Sequence, residues 1–180
     1  MSTKAMLCAV ILFASVALHA ADLPADIAAD VAKFKDTNPK VRQQALTALG
    51  EMGAKAKPAV PNINEMVADK TTWVATRAMM VLAKVGPDEG SAKAVAPFLA
   101  TEPDKRTFAV DVLVLLKEKS LPVIIEALKD DKSAEGACET LQQIGPAGKG
   151  ALAQLQATSK STQSSPVKDA CSKAIRAVNK

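Results

Sequence analysis

The sequence predicts an all-α fold, a right-handed α-solenoid of about four stacked helix pairs with capping helices at its ends. Three observations predict it. A small residue followed by aliphatic residues four and seven positions later recurs five times, as Ala45–Leu49–Met52, Ala78–Leu82–Val85, Ala109–Leu113–Leu116, Ala137–Leu141–Ile144 and Cys171–Ile175–Val178. The small residues stand 33, 31, 28 and 34 positions apart, a period that belongs to stacked repeats. Proline and glycine fall between the apolar-periodic stretches, where breakers belong. No stretch alternates with a period of two, so no sheet is expected. An open stack exposes an extended surface rather than a sealed pocket, which makes holding another molecule its default work.

Residues 1–20 are set apart from that array. Lys4 supplies a positive start, Ala5 to Leu18 is apolar apart from Ser15, and Leu18-His19-Ala20-Ala21 ends in small residues. That order is the pattern of a secretory signal peptide, and the run is short for a membrane span, which needs roughly 20 residues. Cleavage near Ala21 is expected, with an uncleaved anchor as the alternative. Cys8 lies too early, inside the apolar run, to be a lipidated cysteine. After cleavage no histidine remains, and the net charge of +4 falls by one with Lys4. A charge this mild favours solubility over a nucleic-acid partner.

The repeat domain then spans residues 21–180. Ile27, Val31 and Phe34 place one apolar face on a helix over 23–35. Asn38 is a candidate N-cap with Pro39 at the first helical position, and Gly53 is placed to end the helix that carries Val41, Ala45, Leu49 and Met52. A shorter helix over about 58–68 buries Val60, Ile63 and Val67, completing the first pair. The second pair covers 72–85, closed by Gly86-Pro87, and about 91–101, where Pro97 kinks or delays the helix. The third covers 104–117 and 121–129. Its first helix is apolar nearly all round, since only Asp111 interrupts Phe108 to Leu116, and such a helix is buried on several sides. The fourth covers 133–144, closed by Gly145-Pro146, and about 149–157. A polar linker over 159–165 leads to a last helix over 166–178 that lacks a partner.

These units resemble the short HEAT-like repeats of bacterial proteins and of phycobilisome lyases. The resemblance rests on Asp36-x5-Arg42, on Val41-Arg42-x-x-Ala45-x-x-x-Leu49-Gly50-x-x-Gly53, and on Val60-Pro61-x-Ile63-x-Glu65. Asp69 with Val74-x-x-x-Ala78-x-x-x-Leu82 repeats the first half, as does Lys105-Arg106-x-x-Ala109, and Leu121-Pro122-x-Ile124-x-Glu126 repeats the second. Val167-Lys168-x-x-Cys171 carries a lysine in place of the arginine. It covers residues 36–180. It implies a ladder of aspartate–arginine ion pairs between successive units, which Ala75 and Ala134 interrupt here. It also implies that the second helix of each pair lines the concave side.

Little in the chain suggests catalysis. A mature chain without histidine cannot build a Ser-His-Asp or Cys-His nucleophile, nor a histidine zinc site. The run from Gly145 to Gly150 follows a helix rather than a strand, so it reads as a turn and not a phosphate loop. Cys138 and Cys171 would lie on neighbouring helices whose axes stand about 8–10 Å apart, whereas a bridge wants Cα atoms within roughly 7 Å. They are read as buried, reduced small hydrophobes, with a bridge as the alternative that a close crossing allows.

The expected function is therefore a non-catalytic protein-interaction scaffold, exported to the periplasm or the exterior. The alternative is an accessory subunit of an enzyme, by resemblance to the lyase repeats. No cofactor, metal, nucleic acid or membrane insertion after cleavage is expected, and the partner is a protein or peptide. With Ile63, Val67, Ile124 and Leu128 facing the core, Glu65 and Glu126 turn about 200° away, towards the groove. Asn62 and Lys129 join them near that face. Trp73 aligns with Lys40 on an exposed edge, as partly structural packing or as an interface anchor.

Overall fold

The computed structural model describes residues 23–180, so the expected leader at 1–20 lies outside the described residues. Each long helix starts and stops where local chemistry requires. Helix α1 (Ala25–Ala32) buries Ile27 and runs into a 3-10 turn over Lys33–Lys35. Helix α2 (Pro39–Met52) starts at Asn38, whose side chain accepts the Lys40 N–H, with proline at the first position. The first unit's second helix, α3 (Val60–Met66), is shorter than the sequence suggests, because a 3-10 stretch over Gly53–Ala59 precedes it.

The same plan repeats. Helix α4 (Thr72–Val85) pairs with α5 (Glu89–Val95), which opens on a reciprocal cap between Asp88 and Ser91. The chain tightens to 3-10 over Ala96–Ala100, at the expected Pro97. Helix α6 (Pro103–Leu116) pairs with α7 (Leu121–Ala127), and α8 (Asp131–Ile144) with α9 (Leu152–Ser161). Helix α10 (Ser165–Val178) closes the described chain, capped by Ser164. The polar linker expected over 159–165 is a correction: α9 continues to Ser161, leaving 162–164 outside helices. Polarity misled there because an exposed last turn needs no apolar residue; Thr158, buried, anchors it by donating to the Leu128 carbonyl at 2.7 Å.

The first helices α2, α4, α6, α8 and α10 pack neighbour on neighbour in one layer, and the second helices form the other layer. Among the described residues there is no strand, and the chain is an all-α solenoid. The small-residue column Ala45, Ala78, Ala109, Ala137 and Cys171 is fully buried, as are Leu49, Leu82, Leu113 and Leu141 four places on. The core nevertheless divides in two. One cluster runs from Ile27 to Leu116 and the other from Ile124 to Val178, so the seam falls between the two helices of the third unit. Helix α6 is buried on several sides, as its composition predicts, yet Leu115 stays 54% exposed.

Candidate partner-binding surface

The charged pairs sort into those that hold the stack and those left for other work. Arg42 on α2 is buried, and all five of its N–H groups have acceptors. Nε and Nη2 donate to the two Asp69 carboxylate oxygens at 2.7 and 2.8 Å, and Nη2 also reaches Thr71 Oγ1. Nη1 donates to the carbonyls of Asp36 and Thr37. A saturated buried guanidinium is a structural tie between units one and two. The hydrogen bond from Arg42 holds the Asp69 carboxyl below its ordinary range against the opposing effect of burial, and the same bond raises Arg42. The Asp36 carboxylate, for its part, caps the Asn38 N–H at 2.7 Å.

Arg106 on α6 makes the second tie, reaching Glu135 at 3.1 Å and Glu139 at 3.0 Å on α8. These partners were not foreseen. Their signal in the sequence is two glutamates four apart on one helical face, opposite the one buried arginine of the third unit. Glu139 is therefore part of the framework, and its reversal would set a positive charge against Arg106. Between the second helices of units one and two, Asn64 Nδ2 donates to Asp88 Oδ1 at 3.1 Å. Burial pushes Asp88 up, but hydrogen bonds from Ser91, Asn64 and Gly90 outweigh it and hold the carboxyl below its usual range.

What is left for a partner lies elsewhere. A groove of about 690 Å³ opens between the second helices of units two and three. Ala96, Pro97 and Ala100 form one wall, and Pro122, Val123 and Ala127 the other. Lys93, Glu126 and Asp130 stand around it. The groove coincides with the seam between the two cores. Prolines at 97 and 122 and alanines at 96, 100 and 127 leave the walls too small to fill the space between the helices.

The residues singled out from sequence do not assemble into one site. Glu126 lines this groove and pairs with Lys129 Nζ at 2.6 Å. Glu65 is exposed on α3, in the first unit, outside the groove lining. Asn62 is half-buried on the same helix, with its Oδ1 enclosed and without a hydrogen-bond partner among the described residues. Trp73 is 42% exposed on α4, in the layer of first helices. It stands between a hollow lined by Lys40, Gln43 and Gln44 and another lined by Arg77, Met80 and Phe108. Among the described residues, no three His, Cys, Asp or Glu side chains converge as metal ligands would.

Residues 29–110 match the family described as HEAT repeats. Those residues are built of HEAT-like repeats. The match runs from the end of α1 through α5 and stops midway along α6, within the first core cluster. A search of curated proteins finds no match. Among solved structures the chain is similar to human deoxyhypusine hydroxylase in complex with glycerol. That likeness has a TM-score of 0.52 at 21% identity, over 85% of this chain and 73% of the other. At that identity the likeness speaks for the solenoid fold alone. Within the HEAT-like frame the two arginine ties occupy the same register on α2 and α6, and the groove belongs to the layer of second helices.

Proposed function

We propose that this HEAT-like repeat chain is an exported, non-catalytic scaffold that holds a protein or peptide segment in the groove between its second and third units. The observation that carries the reading is the groove itself. It is an apolar trough walled by small residues and proline, rimmed by both signs of charge, and not consumed by the ion pairs that hold the stack. Its dimensions suit an inserted side chain or a short helical segment, the usual way a helical groove takes a partner. Mixed rim charge fits a protein better than a nucleic acid.

The test is capture from the native envelope fraction by wild-type protein and by variants. Val123→Lys should lose the partner while the helical circular dichroism is kept, because Val123 lines the groove wall and is only half-buried. Asp111→Lys, exposed on α6, is the control and should retain it. Equal capture by Val123→Lys would remove the groove from the reading. Loss on Trp73→Ala with Val123→Lys unaffected would move the site to the layer of first helices. Export is checked separately by mass spectrometry of the natively produced protein, where an N-terminus near Ala21 is expected. An intact Met1 in the soluble cytoplasmic fraction would overturn that part.

A further inference from the structure

Cys138 and Cys171 lie on α8 and α10, both fully buried and unbridged. Their spacing in the sequence places them on neighbouring helices whose usual separation is wide for a bridge unless the helices cross closely. In the structure their sulfurs are 2.8 Å apart, closer than unbonded sulfur atoms pack, although 33 positions separate them in the chain. The two helices cross here over alanine: Ala134, Ala137 and Ala174 share the cluster and let the backbones approach. Neither thiol has a histidine beside it, since the described residues contain none. The pair therefore has neither the base of a cysteine nucleophile nor the ligands of a metal site.

We propose that Cys138 and Cys171 are a redox pair that closes to a disulfide on meeting a disulfide-bearing oxidant, locking α10 onto α8. Opening is needed, because the oxidant reaches buried sulfur only while α10 is off α8. With α10 open the thiols no longer touch, so either one, as its thiolate, attacks one sulfur of the oxidant, forming a mixed disulfide and expelling one oxidant thiolate. The other thiol, losing its proton as α10 closes, then attacks the protein sulfur of that mixed disulfide and expels the second. Two protein thiols are oxidised, the oxidant's disulfide is reduced to two thiols, and the two protein protons end on them.

This chemistry is independent of the compartment proposed above; export only supplies oxidising surroundings. The test uses the purified full chain, equilibrated with oxidised glutathione or with dithiothreitol, then unfolded and alkylated. The expected product of oxidation has lost the mass of two hydrogen atoms, with the peptides of Cys138 and Cys171 joined. Closing a loop of this length restricts the unfolded chain, so the melting temperature should rise by about 10 °C over the reduced protein. Amide exchange in α10 should slow in parallel. Both thiols still free after oxidation would overturn the proposal, as would glutathione adducts alone, or bridges to Cys8 or between chains. In Cys171→Ala the difference in melting temperature between the two buffers should vanish, and its persistence would also overturn it. The wild-type map decides the question even if that variant fails to fold.

Discussion

Lys117 takes a positive φ that glycine takes at the ends of three other first helices. The first helices of units one, two and four end on Gly53, Gly86 and Gly145, with φ of 57°, 99° and 65°. The third ends on Lys117 at φ 49°, where a Cβ is crowded. Lys117→Gly should therefore stabilise the protein by about 1 kcal/mol, the relieved strain exceeding the added freedom of the unfolded chain. Thermal melting checks it, and a lower melting temperature would show that lysine is unstrained there. Asp69 carries the pH dependence at this scale. Its carboxyl is held low by Arg42, so its contribution is fully present above the ordinary carboxylate range near pH 4. It is lost as pH falls through the lower folded value. Melting temperature should drop more steeply below about pH 4 in wild type than in Asp69→Asn, which is already destabilised at neutral pH. Of these residue-scale features, Asn38 and the three glycines were legible, because caps and positive φ select residue types. Lys117 was not, since a lysine in a glycine's place gives no sign of the strain.

At the scale of elements, starts and stops of the first helices were readable to within two residues, as with Thr72 to Val85. Proline, glycine and capping side chains mark them. The 3-10 stretches before α3, α7 and α9 were not readable, because the residues that tighten a turn also continue a helix. Neither was Gly136, which sits mid-helix on α8 where a glycine normally costs stability. A Cβ there would come within 2.7 Å of the Leu99 carbonyl and 2.8 Å of Arg106 Cδ. The glycine lets the fourth unit approach the second and seats the Arg106 tie. Gly136→Ala should thus destabilise by about 1–3 kcal/mol, although alanine is the better helix former. A gain in denaturant midpoint would mean that Leu99 and Arg106 yield freely. The sulfur contact on α8 and α10 escaped for a related reason: spacing gave the helices but not how closely alanine lets them cross.

For the whole molecule, the repeat period gave the solenoid, but the period does not say whether its core is continuous. The break between Leu116 and Ile124 arises within one helix pair, where α6 turns its apolar residues to the first cluster and α7 buries Ile124 in the second while Val123 leans on the first. The groove opens on the second-helix side of that break, and the Arg106 pairs to Glu135 and Glu139 cross it on the other. Stacks of this kind hold together through nearest-neighbour interfaces, so a seam in the core should appear as a boundary between cooperative units. Native-state hydrogen exchange should sort the slow amides of α2, α4 and α6 from those of α8 and α10, with different opening free energies. Removing the tie with Arg106→Met should widen that difference, because it deletes the ion pairs to Glu135 and Glu139 that join α6 to α8 across the seam. Uniform opening of all five long helices in wild type and variant alike would show a single cooperative unit. The groove would then be a fixed feature of the surface, not the mouth of a joint that a bound segment could close.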